Sequence, residues 1–466
     1  MKTNKQEIII LVAILLFALF IRVYGLGTPS LWVDESTSAM ASKMIVEKGV
    51  PVFDSGLFYG RALFFHYSEA FFLLFGLTDF LVRFISVIFG LLTIILAYLI
   101  GREYSKSGGI IASLFMAVFY LEVFYSRQGR FYQLFQLAFF ACLYLLYKSK
   151  GKPKYIYFSL VAFLIAYDSQ IAGIILAPFL IIHILVYNRK YWYLSLIPVI
   201  FLIYKFMPAA GLSSLSSEVT ANYFGKYVSY TGNMLYLIIL FVPGLIWGFM
   251  KKKELTLLLL IPAAVMLIGI FSLETFALRY SYFFVFVLVL YSSLLLAFFY
   301  DKFGKIMLIA ILCVLIIPSN FISPQTGVNI LQPVNYNFND NSAPYTDYKS
   351  VPTALINELK SNTTLISYFS SDVEWYIRKP DYVLPFSMNG IGNDQISRNN
   401  SKGEVVDRYS GALILNKIPE KPYNLLANAF SVSKLKSEQK AFLGNLTQNC
   451  SISYESIDLK VYNCYR

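Results

Sequence analysis

Apolar segments recur from residue 8 to residue 321, and short loops rich in lysine and arginine punctuate them. A bilayer-crossing helix needs about 20 mainly apolar residues. The pattern predicts about eleven spans: Ile8–Leu26, Phe80–Ile100, Ile110–Phe124, Leu134–Tyr147, Tyr155–Tyr167, Ile171–Tyr187, Tyr191–Met207, Met234–Met250, Leu255–Phe271, Tyr280–Tyr300 and Ile306–Phe321. Every even-numbered span ends in a basic cluster: Arg102 and Lys106, Lys148 to Lys154, Arg189 and Lys190, Lys251 to Lys253, Lys302 and Lys305. Cytoplasmic loops carry such an excess. The N-terminus, with Lys2 and Lys5, is therefore placed inside. The odd number of spans puts the C-terminal part outside.

Composition agrees. Of 466 residues, 57% are hydrophobic and 14% charged, against about 25% charged in soluble domains. The net charge of +12 invites a nucleic-acid partner, but much of the excess lies in the loops that orient the chain, so that class is rejected. The first segment lacks a small-x-small cleavage site and reads as a signal anchor. Only His66 and His183 exist, which excludes a histidine-rich metal cage. Cys142 and Cys313 sit in apolar segments as packing residues. Cys450 and Cys464 could pair if their segment lies outside the cytoplasm.

Two domains follow. Residues 1–322 form a polytopic all-α membrane domain with a long first outer loop, 27–79. Residues 323–466 are polar and form a small extracytoplasmic α/β domain. In the loop, Thr37–Glu47 and Phe64–Phe75 read as short helices, the second lying along the interface. In the second domain, Val351–Lys360 and Asp372–Arg378 read as helices. Thr364–Phe369, Tyr382–Phe386 and Ala412–Asn416 read as strands, and Ile452–Tyr465 as a hairpin. Asn-x-Ser/Thr triplets at Asn362, Asn399, Asn445 and Asn449 fall only in this part.

Gly27 to Ser36 carries the twin acids Asp34 and Glu35. They are either a wet helix cap, with Asp34 or Ser36 capping, or a carboxylate pair at the membrane surface facing a lipid-borne substrate. The predicted outer ends also hold Asp54, Arg61, His66, Glu69, Asp79, Arg83, Glu122, Arg127, Arg130, Glu274 and Arg279. Arginine forks bind phosphate through paired hydrogen bonds, and a carboxylate can take a proton from a hydroxyl. Arg127, Arg130 and Arg279 break the positive-inside pattern, which weakens a purely topological role. Arg83 is read either as a snorkelling residue or as a ligand, His66 as packed or ligating, and Asp168 as a turn cap or a wall of the site.

In sequence order, these residues resemble motifs of the GT-C membrane glycosyltransferases, in the dolichyl-phosphate-mannose–protein mannosyltransferase and aminoarabinose-transferase-like branch. Trp32-Val-Asp-Glu-Ser resembles the family's first-loop acidic motif. His66-Tyr-Ser-Glu-Ala-Phe-Phe-Leu-Leu-Phe-Gly resembles its juxtamembrane helix, without the usual Pro-Pro. Asp79-Phe-Leu-Val-Arg83, continuing to Gly101-Arg102, resembles its second-span signature. Ser126-Arg-Gln-Gly-Arg130-Phe-Tyr132 and Arg279-Tyr280 resemble two further segments. Asp168 stands where many relatives carry a histidine, and the oligosaccharyltransferase signature Trp-Trp-Asp-Tyr-Gly is absent.

The resemblance implies inverting transfer of a sugar, a hexose such as mannose, from a polyprenyl or dolichyl phosphate to an acceptor hydroxyl on protein, glycan or lipid. It implies Asp34 as general base, with Glu35 orienting it or helping to hold a divalent cation, the metal requirement staying open. Arg83, Arg130 and Arg279 would hold the leaving phosphate. His66, Glu69, Arg127, Tyr132, Asp168 and Tyr280 complete the candidate substrate-binding set. These groups are expected to converge in one wet pocket on the outer side. The rival reading is a transporter or flippase of lipid-linked sugars. Such folds often carry internal repeats, and none is visible.

Overall fold

The computed structural model describes residues 5–206, 235–271, 278–304, 307, 311, 346–361, 363–368, 370–384, 397–399, 402, 404–415, 417–428, 432, 435 and 437–464. Nearly all of the predicted span 306–321, with Glu274, Cys313 and Asn362, lies outside the described residues. In chain order the helices are α1 (Lys5–Val23), α2 (Val33–Lys48), α3 (Leu63–Leu73), α4 (Asp79–Tyr104), α5 (Lys106–Val118), α6 (Tyr120–Ser126), α7 (Tyr132–Ser149), α8 (Tyr155–Ser169), α9 (Leu176–Tyr187), α10 (Leu196–Phe206), α11 (Leu235–Phe271), α12 (Val285–Phe303), α13 (Thr353–Lys360), α14 (Ser370–Tyr376) and α15 (Ser437–Thr447). Contacts divide the chain into two compact units. Unit 1 comprises Met1–Tyr24, Arg61–Phe65 and Arg83–Gln332, and unit 2 comprises Gly25–Gly60, His66–Val82 and Pro333–Arg466.

Unit 1 is helical. Apolar side chains run all round its helices, as burial in lipid and in neighbouring helices demands. Among the described residues, α1, α4 and the stretch Arg279–Phe303 are each long and apolar enough to cross a membrane. α5 and α6 pass that test together as one span bent by 62° at Phe119. The predicted spans 234–250 and 255–271 are the two arms of α11, broken at Lys252 (φ −146°, ψ 65°). The predicted total of eleven goes beyond what these lengths establish. α7 packs on α8, α11 on α12, and α12 on α5. Gly101 and Gly108 let α4 and α5 touch, for a Cβ on Gly101 would lie 2.6 Å from the Gly108 carbonyl oxygen.

The basic punctuation gathers at one end of unit 1. Arg102 pairs with Glu7 at 3.1 Å, Lys148 with Glu103 at 2.9 Å, and Lys150 with Glu254 at 2.6 Å. Such partly exposed pairs add little stability. They do fix which helix ends lie together.

Unit 2 is built on a mixed sheet. Its strands are β1 (Thr364–Ser367), β2 (Tyr382–Val383), β3 (Ser397–Asn399), β4 (Val405–Asp407), β5 (Leu413–Ile414), β6 (Tyr423–Asn428), β7 (Cys450–Glu455) and β8 (Leu459–Cys464), in the spatial order β3-β4-β5-β2-β1-β6-β8-β7. β1 runs parallel to β2 and β6, and β8 is antiparallel to β6 and β7. Alternation sends Ile366 and Leu425 to a core with Leu443 and Leu446 of α15. It sends Leu365 and Leu426 to a second core with Leu355 and Leu359 of α13 and Val373 of α14. Cys450 and Cys464 form a disulfide across the β7–β8 hairpin.

Unit 2 also contains most of the first outer loop. Ala39, Leu73 and Val82 pack with Trp375 and Tyr376. Met40, Met44 and Phe53 pack with Trp375 and Tyr409. The partly buried Trp375 side chain thus joins two apolar clusters, where an aromatic supplies a large contact area.

Candidate active site

The twin acids are separated by their environments. The expected cap, Asp34 or Ser36, is corrected: α2 begins at Val33 and its N-cap is Trp32. The Trp32 backbone N–H donates to Glu35 Oε2 at 3.3 Å, the reach-back half of a capping box. Glu35 is fully buried, whereas Asp34 keeps partial exposure. A carboxylate in the first turn also suits the positive end of the helix dipole. Near Asp34 lies an aromatic patch. Phe53 meets Tyr409 edge-on at 5.2 Å and Tyr59 at 5.7 Å. Burial raises the Tyr409 hydroxyl above the ordinary tyrosine range, with Tyr59 and the Asp34 charge pushing the same way.

His66 and Glu69 pin α3 to α2. Ser42 Oγ lies 3.2 Å from His66 Nδ1 and donates to Glu69 Oε2, and His66 Nδ1 is 3.5 Å from the same carboxylate. All three side chains are buried, and Tyr59 packs edge-on against the imidazole at 5.3 Å. That is the packed-histidine arrangement. Among the described residues, no group of three or more His, Cys, Asp and Glu could hold a metal ion.

In unit 1 the arginines divide by role. The break at Phe119 strips α5 of its continuing hydrogen bonds, leaving carbonyls that must find other donors. Arg22 supplies them: Nη1 donates to Ala117 O at 2.8 Å and Nη2 to Met116 O at 3.2 Å. Arg127 Nη1 donates to Ile21 O at 3.0 Å, near the C-terminal end of α1. Two guanidinium groups therefore serve helix C-terminal ends, where cations are favoured.

Arg130 is placed differently. Its guanidinium lies 4.5 Å from the centre of the Phe131 ring and 5.6 Å from that of Tyr132, and Ser86 Oγ donates to its carbonyl at 3.2 Å. Arg61, exposed, lies 5.2 Å from the same Phe131 ring. Asp168 fixes the turn that carries Arg61. Its carbonyl accepts from Ala62 N at 2.9 Å, and its carboxylate accepts from Leu63 N at 3.0 Å and Phe64 N at 2.9 Å. It is the cap reading of Asp168 that these bonds describe. Ala62 adopts φ +52°, a left-handed conformation costly for a residue with a Cβ. Arg83 is buried in α4. Arg279, half-buried, sits 5.4 Å from the centre of the adjacent Tyr280 ring, in a helical turn before α12.

Sequence reasoning missed a buried polar knot in the same unit. Tyr282 OH lies 2.7 Å from Glu122 Oε2 and 2.5 Å from Gln133 Oε1, with one proton to give to either, and Gln136 Nε2 donates to Glu122 Oε1 at 2.9 Å. Tyr125 packs on Tyr282 with ring centres 4.1 Å apart. The signal was readable: Gln133 and Gln136 sit one turn apart in an otherwise apolar span, and polar residues there are costly unless paired. Asp79 and Tyr376 were also missed as partners.

The family model described as dolichyl-phosphate-mannose-protein mannosyltransferase matches residues 62–210. No curated protein sequence matches the chain. The fold is similar to that of apo ArnT from Cupriavidus metallidurans, at 13% identity and TM-score 0.62, covering 98% of this chain and 97% of that one. ArnT bound to undecaprenyl phosphate gives TM-score 0.59 at 12% identity, covering 99% and 98%. The oligosaccharyltransferase of Archaeoglobus fulgidus in complex with zinc and sulfate gives TM-score 0.52 at 16% identity, covering 80% of this chain. The chain spans only 62% of the length of that enzyme. These likenesses show a fold that the chain shares with ArnT and the archaeal oligosaccharyltransferase.

Proposed function

We propose that this chain is a membrane glycosyltransferase that transfers a sugar from a polyprenyl-phosphate donor to a hydroxyl acceptor outside the cytoplasm, with inversion. The observation that carries the reading is the pair of guanidinium groups, Arg61 and Arg130, over the single ring of Phe131. Neighbouring like charges gain most from a shared anion, and guanidinium forks suit phosphate oxygens. The donor class also follows the neighbours' own ligands: undecaprenyl phosphate in ArnT, and dolichol-phosphate with an inhibitory peptide in the archaeal oligosaccharyltransferase.

Asp34 is the general base. It takes the acceptor hydroxyl proton as the acceptor oxygen bonds to the anomeric carbon and the bond from that carbon to the phosphate oxygen breaks. Polyprenyl phosphate leaves as an anion, stabilised by Arg130 and Arg61 with Arg83 and Arg279. Glu35 holds the turn that presents Asp34. Asp168 holds the Arg61 turn, and Arg127 serves α1. Tyr132 and Tyr280 flank their arginines, and His66 and Glu69 secure α3. The sugar is a hexose, mannose being suggested by the family description. An outward second unit fits the Cys450–Cys464 disulfide and the exposed Asn399, Asn445 and Asn449.

The purified protein is incubated with polyprenyl-phosphate mannose, glucose or galactose, radiolabelled in the sugar, in sealed vesicles with peptide, glycan and lipid acceptors. Label transferred to an acceptor supports the reading. Label that crosses the bilayer while still on its lipid makes the protein a flippase instead.

A further inference from the structure

The peptide that leads into α2 is gripped by residues from the other end of the chain, within unit 2. The Leu31 backbone N–H donates to Tyr376 OH at 2.5 Å, and that hydroxyl donates to Asp79 Oδ2 at 2.6 Å. Trp375 Nε1 donates to Asp79 Oδ1 at 2.9 Å, and Lys349 Nζ pairs with Asp79 Oδ2 at 2.6 Å. Lys349 Nζ also donates to Gly27 O at 2.5 Å, while its backbone N–H donates to Ser30 Oγ at 3.2 Å. Ser30 Oγ donates to Asp347 Oδ1 at 3.0 Å. The Tyr348 ring stacks on Tyr376 at 5.3 Å with 17° between planes, fixing the phenol from behind. Leu31 and Asp79 are buried, so these bonds are made away from water, where an unmade partner is costly.

We infer that the C-terminal segment sets the position of the proposed base, with Tyr376 and Asp79 as positioning residues for Asp34. The inference rests on the reading of Asp34 as general base. Tyr376 uses its hydroxyl in both directions, accepting from the backbone three residues before Asp34 and donating to a carboxylate already held by Trp375 and Lys349. A phenol anchored at both ends fixes where the first turn of α2 begins. Glu35 then closes that turn on Trp32, and Asp34 is carried between them. The C-terminal segment therefore contributes to turnover without touching substrate. Proton transfer tolerates little misplacement: an error of about 1 Å can cost about 10²-fold in rate.

The test uses the full-length protein in lipid nanodiscs, with Tyr376→Phe and Asp79→Asn beside Asp34→Asn. The donor is whichever of polyprenyl-phosphate mannose, glucose or galactose supports the fastest transfer. Tyr376→Phe is expected to lower kcat by about 10- to 10²-fold, with donor KM within about twofold and the melting temperature within a few degrees. Asp79→Asn keeps one oxygen acceptor and is expected to lose less. Hydrogen exchange across residues 27–36 should rise in Tyr376→Phe. Wild-type kcat, or wild-type exchange across 27–36, in Tyr376→Phe overturns the inference. So does a fall in kcat matched by lost donor affinity and lost stability. Turnover retained by Asp34→Asn overturns the base assignment and this inference with it. Turnover lost in Asp34→Asn but kept in Tyr376→Phe overturns the positioning role alone.

Discussion

Arg22 Nη1 donates to the carbonyl oxygen of Ala117 at 2.8 Å, across 95 positions of sequence. In the sequence Arg22 is a blemish near the end of an apolar segment. In the fold it completes a broken helix, and Gly90 makes room for it: a Cβ there would lie 3.3 Å from Arg22 Nε and 2.6 Å from Ser126 Cβ. Arg22→Met should keep the side-chain volume but orphan the Met116 and Ala117 carbonyls, at about 1–3 kcal/mol for each buried group left unmade. The expected outcome is a clear fall in melting temperature in detergent, measured by intrinsic fluorescence. Arg127→Met should behave in the same way, lowering stability more than donor affinity.

Asp34 and Glu35 should separate cleanly on mutation. Asp34→Asn is expected to abolish transfer at unchanged melting temperature, because the residue is partly exposed and is not the cap. Glu35→Gln should be nearly silent, since glutamine also reaches back to an N-cap amide. Glu35→Ala should cost about 1 kcal/mol of stability. Transfer rates and melting curves on the three variants decide it. An Asp34→Asn protein with near wild-type turnover removes Asp34 as base.

The membrane part was legible because lipid admits only helices and closed barrels, and long apolar runs report the helix. The spans at 80–100 and 134–147 reappear as α4 and α7. β6 was not legible. Tyr-Asn-Leu-Leu-Ala-Asn has no alternation, because the strand is buried on both faces and both must be filled. The strands 397–399 and 405–407 are too short to show a period. Residue spacing revealed the candidate arginines but not how to sort them. The Phe131 ring, 70 residues away, sets Arg61 apart from an ordinary surface arginine, and partners at residues 349, 375 and 376 set Asp79 apart.

The Arg61 turn gives a third prediction. Arg61→Ala and Arg130→Ala should each raise donor KM by about 10-fold or more, as expected for one lost charge-assisted bond of about 1.5–3 kcal/mol. Asp168→Ala should mimic Arg61→Ala without touching the donor, because three successive amides lose their acceptor side chain or its setting. Binding of radiolabelled polyprenyl phosphate to each variant is the measurement. Unchanged affinity in Arg61→Ala removes it from the anion site.

Burial pushes Asp372 up to about 7, although the Tyr348 hydroxyl and its own and the Val373 backbone N–H oppose this. Burial likewise brings Glu374 to about 7, with Asp54 and Asp407 adding to the rise and Lys43 and Lys379 opposing it. Both carboxyls lie on α14, the helix that carries Trp375 and Tyr376. Their ordinary values, 3.8 and 4.5, apply to the unfolded chain. A folded value above the unfolded one means that the folded state holds the proton more tightly. The stabilisation is complete below about pH 4 and is lost as pH rises towards 7. Asp54 works in the opposite sense, since its bond to Lys48 holds it below 3.8, so its contribution is lost only as the solution becomes more acidic than that. Between pH 4.5 and 7.5 the two raised carboxyls dominate, and the melting temperature should fall as pH increases. Asp372→Asn, neutral at every pH, should flatten that slope, and Glu374→Gln should flatten it further. Scanning fluorimetry across this range on the three proteins measures it, and a wild-type slope that rises with pH contradicts the assignment.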